Sequence, residues 1–195
     1  MRRGEEIVPQ FNPLGLDGVI EILPDRHRDL RGFFSETYNA RVFAEAGITL
    51  EFVQDNYSLS TEKGVLRGLH FQTPPFAQDK LVRVSRGAVF DVIVDIRKGS
   101  PTFAKWVGVE ISAAKWNQVL VPKGFAHGFV TTEPNTELLY KVTDYYSREC
   151  DRSINFNDPE IGVDWPVDRS SVILSEKDKT APLLADIETG FVYGD

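Results

Sequence analysis

The chain has 195 residues, 42% of them hydrophobic and 26% charged, with a net charge of -7. That composition belongs to a globule with a sizeable core and excludes a disordered chain, and without any run of Lys or Arg the acidic balance argues against a nucleic-acid surface. One cysteine, Cys150, excludes an internal disulfide framework, and no apolar stretch reaches membrane length.

The charged start, Met1 to Glu6, leads into no signal-like apolar stretch, so a single cytoplasmic domain over residues 1–195 is expected. Val19 to Leu23 predicts the first strand, ended by Pro24, and Gly32 to Tyr38 the second, with a charged loop from Asp25 to Arg31 between them. Asn39 to Gly47 predicts a short helix, capped by Asn39 and closed by Gly47. Glu51 to Ser60 is apolar at first and amide-rich in its middle. Gly64 to Gln72 and Lys80 to Val84 are apolar runs divided by Pro74-Pro75, which cannot continue a ladder. They predict an antiparallel hairpin that returns Lys80 to the side of His70.

Ala88 to Ile96 sets Phe90, Val92 and Val94 against Asp91 and Asp95, the period of two expected of a strand with unlike faces. Further strands are expected at Trp106 to Ile111, Gln118 to Val121, Gly128 to Thr132 and Thr136 to Tyr145, with turn signals between them. So many short strands beside one clear helix predict an all-β sandwich, barrel or jelly roll. In the tail, Asp158-Pro159 and Ser175-x-x-Asp178 are helix-start signals, so short helical turns are expected there.

Few side chains in these runs can do chemistry. Of the three histidines, His27 lies among charges, whereas His70 and His127 interrupt apolar strands. His27 reads as solvated, and His70 or His127, taken alone, reads as a core histidine satisfied by a carbonyl. Arg67 and His70 are three apart, so a regular strand would put them on opposite faces, but a bulge at Gly68 would turn both inward. Tyr140 shares parity with Leu138 and Val142 and points inward with them, either as packing or as a proton donor. Asp178 reads as the cap partner of Ser175 or as a carboxylate that holds a histidine in one tautomer. The histidines are widely separated and form no His-x-His, which disfavours a metal site.

An ordered set of motifs resembles one family, the dTDP-4-dehydrorhamnose 3,5-epimerases of deoxysugar biosynthesis. The set includes Leu30-Arg31-Gly32-Phe33-Phe34-x-Glu36, Val53-Gln54-Asp55-Asn56, Leu66-Arg67-Gly68-Leu69-His70-Phe71-Gln72, Gly124-Phe125-Ala126-His127-Gly128-Phe129 and Leu139-Tyr140-Lys141. The resemblance implies a cupin-type jelly roll that forms a homodimer through strands exchanged near the N-terminus and uses no metal or organic cofactor. It implies a dTDP-linked 4-keto-6-deoxyhexose as substrate, while the charge and hydropathy above lead to the expectation of neither nucleic acid nor membrane as a partner. On this chain it makes His70 the base, Asp178 its partner, Tyr140 the acid and Lys80 the cation at the C4 oxygen. It gives Arg67 and Arg31 to the diphosphate, and Gln54, Asn56 and Tyr146 to the base of the nucleotide. Glu36, His127, Asp151 and Lys177 also match binding positions. A relative that epimerises one carbon, or acts on another nucleotide sugar, would share these motifs. A sugar-nucleotide binding module on the same barrel would not require His70, Tyr140 and Asp178 together.

Overall fold

The computed structural model describes residues 9–194; the charged Met1 to Glu6 segment lies outside the described residues. Two antiparallel sheets face each other. The six-stranded sheet runs β1-β2-β10-β7-β12-β5 and the five-stranded sheet β13-β6-β11-β8-β9. In chain order the strands are β1 (Gln10–Pro13), β2 (Ile20–Leu23), β3 (His27–Asp29), β4 (Gly32–Phe34), β5 (Gln54–Ser60), β6 (Leu66–Gln72) and β7 (Lys80–Arg86). They continue as β8 (Ala88–Asp95), β9 (Trp106–Ser112), β10 (Gln118–Val121), β11 (Phe125–Thr131), β12 (Thr136–Val142) and β13 (Asp151–Ser153). The two helices are α1 (Ala40–Glu45) and α2 (Glu176–Lys179), and a 3-10 turn follows at Leu184–Asp186. The all-β, jelly-roll expectation holds.

Three apolar clusters organise these layers. Val82, Val84 and Leu138 of the six-stranded sheet meet Val89, Ile93 and Phe129 of the five-stranded sheet between the layers. The outer face of the five-stranded sheet, with Leu69, Phe71, Val92 and Val94, is covered by the tail through Ile154, Ile161, Trp165 and Leu184. The outer face of the other sheet receives α1, where Phe43 and Ile48 pack on Ile22, Leu81 and Leu120.

Helix α1 ends as its sequence demands. Asn39 accepts a hydrogen bond from Arg41 N at the start. At the end Gly47, at φ +85°, allows Ile48 N to reach Phe43 O and Gly47 N to reach Ala44 O. That paired pattern is a Schellman stop, with Phe43 and Ile48 as its apolar contact.

Four expectations change. Asp25 to Arg31 is not wholly a loop: its middle is β3, which pairs with β4 as a separate two-stranded ribbon. The strand expected at Gly32 to Tyr38 is correspondingly short. The β6–β7 hairpin does not form; β6 pairs with β11 and β13, while β7 pairs with β10 and β12. The Pro74-Pro75 bend carries the chain from one sheet to the other. Lys80 still reaches His70, donating from Nζ to its carbonyl at 3.4 Å, but across the sandwich. Finally, Asp158-Pro159 opens a turn rather than a helix, because the buried Asp158 carboxylate accepts from Glu160 N at 2.8 Å and Leu184 N at 2.7 Å.

Candidate active site

Strand β6 supplies two of the polar groups, and a bulge makes this possible. His127 of β11 stands opposite His70, and Phe129 opposite Arg67, so three steps on β6 match two on β11. The extra residue falls at Gly68–Leu69, and both Arg67 and His70 turn into one cavity. Glycine is required here. Gly68 has φ +132°, and a Cβ on it would lie 2.5 Å from the Gly128 Cα. The expected bulge is therefore present.

The cavity has a volume of about 380 Å³ and lies between the sheets. Arg67, His70, His127 and Phe129 line it from the five-stranded side, and Lys80, Leu138, Tyr140 and Ser58 from the six-stranded side. Ile173, Leu174, Ser175 and Asp178 close one edge. The segment that holds them is fastened to β6 by Leu66 N to Ile173 O at 3.0 Å and Ile173 N to Gly64 O at 2.9 Å.

Asp178 fulfils both of its sequence readings. Its backbone N–H donates to the N-cap Ser175 Oγ at 3.2 Å, and that hydroxyl donates back to Asp178 Oδ2 at 2.8 Å. The other oxygen, Oδ1, meets His70 Nε2 at 2.5 Å. Burial pulls the Asp178 carboxyl upward, but the hydrogen bond and charge of His70, with Ser175 and Lys177, outweigh it and hold its pKa below the ordinary value. In the neutral ring this pairing keeps the proton of His70 on Nε2 and leaves the lone pair on Nδ1.

Lys80 and Tyr140 feel burial most. Burial lowers the Lys80 ammonium to about 8, although Asp151 and Asp91 pull it back and Lys177 adds to the fall. Burial also pushes the Tyr140 phenol up, with Arg67 opposing and Asp151 assisting. At pH 7 Lys80 is still chiefly a cation despite its burial, and Tyr140 is a neutral donor.

A rim surrounds the mouth. Gln54 and Asn56 of β5 bond to each other at 2.9 Å, Gln54 also accepts from Tyr146 N at 3.2 Å, and Asn56 lies opposite Tyr140 in the ladder. Tyr146 donates its hydroxyl to Asp151 at 3.3 Å, and Lys177 donates to the same oxygen at 2.5 Å. Two of the expected binding residues are elsewhere. Arg31 is exposed on the β3–β4 ribbon in a forked pair with Asp29, and Glu36 is exposed and accepts from Asn39. Neither lines the cavity of its own chain.

Asp91, which the sequence marks only as part of one of two unlike faces of β8, was given no role there. It is fully buried and holds His127 Nε2 with both oxygens, at 3.0 and 2.9 Å. A carboxylate inside a near-continuous apolar run was the available signal. Among the described residues no cluster of three His, Cys, Asp or Glu could hold a metal ion. No described helix is long and apolar enough to cross a membrane.

Comparison with known proteins identifies the family. A sequence profile of dTDP-4-dehydrorhamnose 3,5-epimerase matches residues 13–186. The chain belongs to that family. It is 48% identical over 183 residues to a dTDP-4-dehydrorhamnose 3,5-epimerase of Sinorhizobium fredii, covering 94% of this chain and 93% of the relative. A Salmonella typhimurium relative of the same name is 53% identical, over 85% of this chain and 90% of its own. The crystal structure of a Legionella pneumophila dTDP-6-deoxy-D-glucose-3,5-epimerase, in complex with dTDP-4-keto-L-rhamnose, superposes with a TM-score of 0.91 at 46% identity. That match covers 96% of this chain and all of the Legionella chain, 100%. Membership in the family makes this chain an isomerase.

Proposed function

We propose that the chain epimerises C3 and C5 of dTDP-4-dehydro-6-deoxy-D-glucose to give dTDP-4-dehydro-L-rhamnose, with His70 as base and Tyr140 as acid. The observation that carries the roles is the position of these two groups on opposite sheets across one cavity. Inversion requires a proton to leave one face of the sugar and another to arrive on the opposite face. A base and an acid on facing walls meet that need.

The hydrogens on C3 and C5 flank the C4 ketone, so removing either one gives an enolate with charge on the C4 oxygen. His70 takes the proton through Nδ1, while Asp178 holds Nε2–H and stabilises the imidazolium that forms. Lys80 faces the C4 oxygen, where a preorganised donor is worth roughly 3–4 kcal/mol. Tyr140 then gives its proton to the other face of the carbon. The imidazolium and the phenolate reset by proton exchange with solvent before the second carbon reacts. A positioned base and acid contribute about 10²–10⁴-fold each.

The guanidinium of Arg67 is only loosely held, at 3.4 Å from Ser60 Oγ and Leu59 O, and is free to clasp the diphosphate. Gln54, Asn56 and Tyr146 take the base of the nucleotide, and Asp151 with Lys177 closes the rim. We assign Arg31 and Glu36 to the site of a second copy in a homodimer. Their ribbon exposes Leu30, Phe33 and Phe34, an apolar surface suited to a subunit contact.

Proton NMR of the 4-keto sugar nucleotide with the enzyme in deuterium oxide tests the reading. Label at both C3 and C5, abolished by His70→Ala with nucleotide affinity retained, is expected. Label at one carbon would indicate a single-site epimerase. No label with the native chain would refute the epimerase reading of this site.

A further inference from the structure

Behind the cavity lies a carboxylate that no step above uses. Asp91 sits in the middle of β8 with no accessible surface, on a strand that is packed on both faces. Burying a carboxylate is strongly unfavourable unless it is partnered, and packing alone would be met by an aliphatic side chain. Val89 and Ile93, two residues to either side on the same face, meet it in just that way. Both oxygens of Asp91 are instead spent on one atom, Nε2 of His127, at 3.0 and 2.9 Å.

His127 stands directly opposite His70 in the β6–β11 ladder and lines the same cavity. The molecule therefore presents two histidine–aspartate pairs side by side, and they differ in freedom. The His70 side chain is 31% exposed, whereas that of His127 is 8% exposed and its aspartate 0%. A ring that must approach a carbon-bound hydrogen needs room. A ring that only recognises a fixed group does not.

We propose that Asp91 is a positioning residue that holds the proton of His127 on Nε2, so that Nδ1 accepts a hydrogen bond from a hydroxyl of the bound hexose. This rests on the epimerase reading of the cavity and deepens it. Arg67 and Lys80 offer only donors to the cavity, so an acceptor fixed by a buried carboxylate adds a discrimination they cannot make. A hydroxyl satisfies it, and a carbonyl or a missing oxygen at that carbon leaves it unpaired. The hydroxyl stays in place throughout the reaction, so its bond supports binding of substrate and transition state alike. The loss should therefore fall on KM.

The test uses the full chain and the variants Asp91→Asn, which keeps the shape, Asp91→Leu, which removes the carboxylate, His127→Ala and the double variant Asp91→Leu/His127→Ala. Nitrogen-15 NMR of the three imidazoles reads the tautomer, and kinetics with the 4-keto sugar nucleotide read the consequence. The native His127 is expected with its proton on Nε2. Asp91→Leu should raise KM about 10-fold, the size of one lost hydrogen bond, with kcat within a few-fold when read below about pH 7, where Lys80 keeps its proton without help from Asp91. In the double variant the effects should not multiply, because Asp91 acts through His127. A native Nδ1–H tautomer, or effects that multiply, or an unchanged KM in both folded Asp91 variants would overturn the assignment. If the native chain turned over no 4-keto sugar nucleotide, the epimerase reading would fall and the tautomer alone would decide the role of Asp91.

Discussion

The wall of the cavity and the rim around it are built on different principles. Wall residues project from central strands whose registers are locked by neighbours on both sides. His70 lies between His127 and Ser153, and Tyr140 between Val82 and Asn56. Lys80 and Tyr140 are governed by burial, and His70 and His127 each have a buried aspartate as partner. The rim is assembled from a loop, an edge strand, the three-residue β13 and a single helical turn, and its charges are held chiefly by one another. Arg31 and Glu36 are farther out still, at the tip of and just beyond a ribbon that touches neither main sheet through a ladder. The contrast assigns chemistry to His70, Lys80 and Tyr140 of the wall and affinity to Arg67, His127 and the rim, and mutations can separate the two.

The largest effect should come from Tyr140. Tyr140→Phe keeps the ring that packs beside Leu138 and removes only the proton. Net epimerisation should fall by about 10²–10⁴-fold, the usual worth of a positioned acid. Deuterium should still exchange into recovered substrate, because the base is intact. Equal losses of exchange and turnover would remove Tyr140 from the acid role.

Lys80 should follow, and it links activity to stability with opposite signs. Lys80→Met should cost on the order of 10²–10³-fold in kcat, the equivalent of one oxyanion donor. The same change should stabilise the fold. Burial depresses Lys80 to about 8 against an ordinary value of 10.5, so its charge is a folding penalty. At pH below 8 the group is protonated both folded and unfolded, and the penalty is present in full. Between about 8 and 10.5 the unfolded chain binds the extra proton, so stability from this residue rises with pH. Activity moves the other way, falling above pH 8 as the ammonium is lost. Thermal unfolding at pH 7 should give Lys80→Met a gain on the order of 1–3 kcal/mol over the native chain. A net loss would mean that the bond to the His70 carbonyl outweighs the penalty.

Much of this wall was legible in the sequence. Period-two alternation placed Tyr140 inward with Leu138, and the three-residue spacing of Arg67 and His70 around Gly68 pointed to the bulge. Ser175 and Asp178 announced their cap. What could not be read was which strands become neighbours. Pro74-Pro75 looks the same whether the chain folds back in one sheet or crosses to the other, and only the crossing puts Lys80 opposite His70. Asp91 escaped for a related reason. Its alternation with Val92 and Val94 marked two unlike faces, but β8 is central, and both faces are covered by residues distant in sequence, Val84 and Leu138 on one side and Trp165 on the other. Alternation reports local chemistry, whereas burial on a second face is decided by long-range packing.

The smallest effect, and the most discriminating, concerns Arg31. Its guanidinium is 90% exposed and tied to Asp29, so in an isolated chain Arg31→Ala should change nothing about the cavity. If a second copy offers this ribbon to the site, the substitution should raise KM about 10-fold through a lost guanidinium–phosphate contact while kcat holds. Mixing makes the argument sharper. In a dimer of one Arg31→Ala chain and one His70→Ala chain, one site combines the intact His70 of the first with the intact Arg31 of the second. The other site lacks both. Refolding the two impaired variants together should therefore recover native KM in about half of the hybrid sites. If Arg31 serves its own chain, every site in the hybrid keeps a defect, and no native-like component should appear in the kinetics. Such a result would move Arg31 off the shared interface, and would leave the wall as the whole of the site within each subunit.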